Sequence, residues 1–224
     1  MKTAIHVRTQ KAGADAAILQ LKIVLLDTKP SIWRRVLVPA ALTLAELHVV
    51  IQATMNWQGG HLHSFRVGDR EFGVPSDEDF DLGVTMTDEA KTRISEVLTQ
   101  AGSMGIYDYD FGDDWEHAVT VEKVLSTEPG VQYPLCTGGK LAGPPEDCGG
   151  VSGYYYMLEA LDDPDHDEHD MMEDWIGSFD PKAFSVEAAN RALRKAFRPV
   201  RRAHWSRSRD SGSKPSGKGR PAAG

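Results

Sequence analysis

The sequence predicts an α+β domain, on three observations. Alternating apolar stretches come in neighbouring pairs separated by short turns, a capping box opens a helix between two such pairs, and helical periodicity dominates the region before a basic C-terminal run. Apolar residues make up 41% of the chain, so a packed core is expected rather than a disordered polymer. The expected architecture is a compact single domain over 18–198. Its antiparallel sheet, two hairpins plus an N-terminal strand pair, is packed by helices, with further helices at the C-terminal end. Residues 1–17 read as a flexible leader and 199–224 as a disordered basic tail.

The first strand pair starts at Leu19, where Leu19, Leu21, Ile23 and Leu25 alternate with their neighbours, and continues from Ile32 to Val38 after Lys29-Pro30. Thr43-Leu44-Ala45-Glu46 is a capping box, in which a hydroxyl and a carboxylate satisfy opening amides, and it predicts a helix to about Asn56 with Leu44, Leu47, Ile51 and Met55 inward. The run His61 to Val67, then Gly68-Asp69 and Glu71 to Val74, predicts a hairpin. Thr87 or Asp88 caps an expected helix to Gln100, burying Ala90, Ile94, Val97 and Leu98 and closed by Gly102. Tyr107, Tyr109 and Phe111 share one face of the next strand. After Gly112-Asp113-Asp114, Trp115, His117, Val119 and Val121 share one face of its partner. Residues 129–153 are rich in Gly and Pro and read as a long loop of the kind that carries function. Three helices follow: one capped by Ser152, one over His166 to Ile176 with Met171, Met172, Trp175 and Ile176 toward the core, and one from Ser185 to Phe197.

The formal net charge is −8, but residues 198–224 carry about +7, which leaves the rest near −15. So acidic a body disfavours a broad phosphate-backbone interface, and weak nucleic-acid contact is assigned to the tail through Arg201, Arg202, Arg207, Arg209, Lys214, Lys218 and Arg220. The start of the chain lacks the apolar core of a signal peptide. No later stretch reaches the roughly 18 apolar residues a membrane span needs, so a cytoplasmic protein with no membrane contact is expected.

Several residues could hold a divalent metal. His61 and His63, two apart on an expected strand, project from one face as paired imidazole ligands would, although half-buried, hydrogen-bonded histidines give the same spacing. The segment 107–117 carries Asp108, Asp110, Asp113, Asp114, Glu116 and His117. Its tip carboxylates suit a cation or acid–base work, or equally the Asx bonds that stabilise turns. Cys136 and Cys148 could complete a Cys/His zinc site with distant histidines or be structural thiols, since their spacing is that of no regular finger. Glu146 and Asp147 follow the rigid Pro144-Pro145 and are fixed more firmly than ordinary loop carboxylates. From Glu159 to Asp174 nine of sixteen residues are acidic and none is Lys or Arg, with His166 and His169 at i,i+3; a metal or a basic protein partner would relieve the repulsion, and a solvated face gives the same run.

Taken in order, Ile32-Trp33-Arg34-Arg35, His61-Leu62-His63-Ser64-Phe65, Tyr109 through His117 and Gly143 through Gly150 resemble the plasmid pRiA4b ORF-3-like family. The likeness continues through Tyr154 to Leu161, Trp175, Phe179-Asp180-Pro181 and Asn190. The resemblance implies a compact α+β domain and an association with mobile elements, and it brings no catalytic residue. Because no recognised nucleophile–base motif is present and the surface is acidic, the first expectation is a non-enzymatic binding or accessory domain. The alternative is a metal-dependent hydrolase or nuclease that uses His61, His63, Asp110, Asp113, Asp114, His117, Glu146 and Asp147, provided the two loops converge.

Overall fold

Two long strands, β1 (Ala17–Leu25) and β2 (Trp33–Pro39), begin the ordered chain of this computed structural model, which describes residues 17–75 and 86–198. They pair antiparallel, and their alternate residues Leu19, Leu21, Ile23, Val36 and Val38 are buried, as period-two patterning requires. Helix α1 (Leu44–Met55) opens on the expected capping box: Thr43 Oγ1 accepts from the Glu46 amide while the Glu46 carboxylate accepts from the Thr43 amide. Leu44, Leu47, Ile51 and Met55 are all buried.

The hairpin β3 (His63–Val67) and β4 (Arg70–Gly73) follows, then β5 (Met86–Asp88), β6 (Met104–Tyr109), β7 (Trp115–Ser126) and β8 (Leu135–Lys140). Among the described residues these form one eight-stranded sheet in the order β5-β4-β3-β6-β7-β1-β2-β8, antiparallel throughout except for the parallel β4–β5 pair. Around it stand the short helix α2 (Ile94–Val97) and the C-terminal helices α3 (Gly150–Asp162), α4 (His169–Ile176) and α5 (Val186–Ala196). The α+β class is as the sequence predicts. α1 packs on α5, α5 on β8, and α3 on α4.

Around the β6–β7 hairpin the sheet buries one face. Tyr107, Tyr109, Trp115, His117, Val119 and Val121 point into the core, while Arg66 bridges Asp108 and Glu116 on the other side. Arg35 and Glu122 pair in the same way farther along the sheet. No described helix is long and apolar enough to cross a membrane.

Several expectations are corrected. The helix expected over 87–100 is instead β5, a turn and the four-residue α2. There Asp88 Oδ1 accepts from the Ala90 amide, Glu89 turns inward to His63, and Arg93 bridges to Thr43, so pairing with distant segments overrides local periodicity. The expected loop 129–153 contains β8, an edge strand on β2 whose Gly139 leaves room for the ring of Phe184. Helix α3 begins at Gly150 with Gly149 as its cap, ahead of Ser152, and α4 begins at His169 rather than His166. His61 precedes β3 instead of lying on it. Phe111 leaves the strand for the turn and is exposed. On α4, Met171 and Trp175 are exposed, and only Met172 and Ile176 pack toward the core.

Candidate metal centre

The site forms where the turn after β6 meets the loop before α3. Trp57, just beyond α1, stacks on Tyr109 with ring centroids 5.0 Å apart, which makes an aromatic floor. The polar tips of this floor hold the loop above it: Trp57 Nε1 donates to the Pro144 carbonyl at 2.8 Å and the Tyr109 hydroxyl donates to Glu146 Oε1 at 2.5 Å. Glu146 Oε2 accepts from the Gln58 amide at 2.9 Å, so both carboxylate oxygens are used in positioning.

The turn is fixed by its own hydrogen bonds. Asp110 donates its amide to the Leu62 carbonyl, and its Oδ1 accepts from the Gly112 amide at 3.0 Å and the Asp113 amide at 3.4 Å. That leaves Oδ2 directed at His61, with Nδ1 3.3 Å away. On the other side His61 Nε2 lies 3.2 Å from Asp147 Oδ1. Both distances exceed the 2.7–2.9 Å or so of charge-assisted hydrogen bonds, so the carboxylates flank the ring without closing on it.

One ligand atom from each of His61, Asp110 and Asp147 lies within 4.8 Å of the others. A nitrogen and two carboxylate oxygens at that spacing can hold Zn²⁺ or Mn²⁺. Asp110 and Asp147 both sit at positive φ, 58° and 61°, a conformation that costs a non-glycine residue about 1 kcal/mol or more and concentrates where the surroundings over-determine it. His61 and Asp147 are solvent-accessible, so an ion there would keep positions open to an outside group.

The other candidates are placed elsewhere. Asp113 Oδ2 accepts from the Gly149 amide at 3.2 Å and so ties the turn to the start of α3, while Asp114 is exposed at the tip with φ 57°. His63 does not join His61. Its Nε2 lies 3.0 Å from both Glu89 oxygens, and its ring stacks on His48 at 3.6 Å. His117 is fully buried with Nδ1 on the Trp115 carbonyl, and burial pulls it down to about 4, so it is neutral at pH 7. Cys136 is a core residue of β8 itself, and Cys148 is half-buried in a groove beside α3 and α4; both are free thiols. Among the described residues no cluster of three ligands includes a cysteine. His166 and His169, on the acidic run, are engaged locally by the Glu168 amide and the Ala160 carbonyl. The tail candidates Arg201, Arg202, Arg207, Arg209, Lys214, Lys218 and Arg220 lie outside the described residues.

Four residues that set this geometry were not singled out from sequence, Trp57 among them. Tyr109 reads there as core alone, Gln58 acts through its backbone, and His48 meets His63 only in the folded chain. A phenol whose ring is buried next to a glycine-rich loop is the one signal that could have pointed to Tyr109.

Comparison with known proteins agrees with this fold. The chain is 35% identical over 181 residues to the uncharacterised protein y4hQ of Sinorhizobium fredii (strain NBRC 101917 / NGR234), a match covering 80% of this chain and 91% of the relative. It superposes on the crystal structure of MM3350, a protein of unknown function from Methanosarcina mazei Go1, with a TM-score of 0.71 and 37% identity, covering 77% of this chain and 96% of that one. Residues 17–188 match the plasmid pRiA4b ORF-3-like protein family, and the chain belongs to that family.

Proposed function

We propose that the chain is a divalent-cation-dependent binding domain whose ion sits among His61, Asp110 and Asp147 and takes a partner's charged group in its open positions. The convergence of these three side chains from three separate segments carries the reading. A bound cation would relieve the repulsion between two carboxylates that face one another across an imidazole, and three protein ligands leave room for at least one more.

The surroundings support a binding role. Asp147 also lines a groove of about 270 Å³ with Cys148, Tyr156, Met157, Met171 and Trp175, so the ion and an apolar slot adjoin. The exposed faces of Met171 and Trp175 suit an apolar side chain on the partner. Elemental mass spectrometry of untagged protein purified without chelator tests the reading. The expected result is near one equivalent of transition metal, lost in His61→Ala and Asp110→Asn. Folded wild-type protein that is metal-free and stays so after exposure to Zn²⁺ and Mn²⁺ would reject it.

A second reading, metal-assisted hydrolysis, is favoured by the approach of the 110–114 turn to the 146–149 loop, which the Asp113–Gly149 hydrogen bond holds. An ion here could lower the pKa of a bound water and present it to an ester or phosphodiester. Turnover by Mn²⁺-loaded protein that is absent in His61→Ala separates hydrolysis from binding alone.

A further inference from the structure

Arg34, on β2, is 1% exposed, and its hydrogen-bond acceptors and the ring stacked on its guanidinium are neutral. Nε donates to the Thr54 carbonyl at 2.7 Å, Nη1 donates to the carbonyls of Trp33 and Lys140 at 2.9 and 3.1 Å, and the Phe184 ring lies over the guanidinium at 4.4 Å. Among the described residues Arg34 makes no ion pair, and Nη2 makes no hydrogen bond. Arg35 and Arg66, both more exposed, have carboxylate partners. The Cys136 thiol nearby supplies no negative charge, because burial keeps it protonated, and Asp180, which lines the same cleft, makes no ion pair with Arg34. A buried charge without a counter-charge is among the costlier arrangements a fold can hold.

Arg34 lines a cleft of about 590 Å³ between the end of α1, the segment 178–185 and the first turns of α5, a volume typical of small-molecule sites. Ala53, Ala188 and Ala192 form an apolar wall, and Asp180 contributes the cleft's one carboxylate. The start of α5 is not the attraction. Ser185 already caps it, and Glu187 already places a carboxylate there.

We propose that this cleft binds a small organic monocarboxylate, with its carboxylate at Arg34 Nη2 and its apolar body along the alanine wall. A carboxylate supplies the charge Arg34 lacks and can accept a charge-assisted hydrogen bond from Nη2, the nitrogen the carbonyls leave unused. Asp180 disfavours a doubly charged anion such as phosphate. None of His61, Asp110 or Asp147 lines this cleft, so the proposal stands apart from the candidate metal centre.

The test is an amide NMR titration of the full chain with hexanoate as probe and inorganic phosphate as control. Saturable shifts confined to the amides around Thr54 and Ala188–Ala192 are expected with hexanoate. They should disappear in Ala192→Phe, which fills the cleft and leaves the Arg34 side chain in place, and weaken about tenfold in Arg34→Lys, where the Nη2 donor is lost. Absence of saturable hexanoate shifts, shifts that persist in Ala192→Phe, or phosphate binding as tightly as hexanoate would each overturn the proposal.

Discussion

The hydroxyl of Tyr109 donates to Glu146 Oε1 at 2.5 Å, so a strand residue of the core directly holds the loop that presents Asp147. Tyr109→Phe removes that donor but keeps the ring on Trp57. A hydrogen bond to a charged acceptor contributes about 1.5–3 kcal/mol, and the Gln58 amide still holds the other oxygen. The expected loss is therefore about 1–2 kcal/mol in urea unfolding, with ion affinity reduced several-fold in titration.

Acid should weaken the fold through two histidines. Burial brings His117 down to about 4, and burial first, with His63 second, brings His48 down to about 3. Below the ordinary imidazole pKa of about 6.5 the unfolded chain takes up protons that the folded chain refuses. The stability these residues contribute is therefore complete above that pH and falls as pH drops from about 6.5 toward 4, by up to about 1.4 kcal/mol per pH unit for each histidine. Urea midpoints measured from pH 7.5 to 4 should show the decline, and His117→Gln should flatten it. Glu122, held down to about 2 chiefly by its hydrogen bonds to Arg35, contributes above about 4.5 and is lost at still lower pH, in a separate window.

Gly150 is required on two counts. Its φ is +67°, and a Cβ there would overlap the Asp113 carbonyl. Gly150→Ala should cost roughly 2 kcal/mol or more, because the 110–114 turn must move away from α3. Thermal denaturation gives the loss of stability, and parallel metal titration should show weaker uptake, since Asp110 moves with the turn.

The thiols should be slow to react. Burial pushes Cys148 up to about 12 and raises Cys136 as well, so little thiolate exists at neutral pH. Reaction of native protein with a disulfide reagent is expected to be far slower than that of urea-unfolded protein, in which both cysteines should react. Rapid labelling of one thiol in the native state would contradict this account of the groove beside Cys148.

What the sequence made legible was local. The Thr43–Glu46 box and the Leu44, Leu47, Ile51, Met55 stripe specify α1 within a few turns of chain, and the alternation in Leu19–Leu25 specifies β1. Segment 87–100 carried equally good helical spacing, but Glu89 is taken by His63 and Arg93 by Thr43, contacts that no local window contains. The candidate centre divides the same way. Asp147 stood out as a loop carboxylate behind two prolines, but Asp110 reads from sequence as a strand residue and lies instead in the turn after β6. Their meeting across His61 depends on β3 lying beside β6 and on Tyr109 holding the loop. His63 has the spacing of a ligand yet is turned away by His48 and Glu89.

Calorimetric titration of Zn²⁺ and Mn²⁺ into chelator-stripped protein, beside His61→Ala and Asp147→Asn, tests the central claim most directly. One site per chain is expected for wild type, with affinity falling at least tenfold in each variant while thermal stability is retained. Wild-type binding that is absent, or that survives unchanged in both variants, would contradict the assignment of the ion to His61, Asp110 and Asp147.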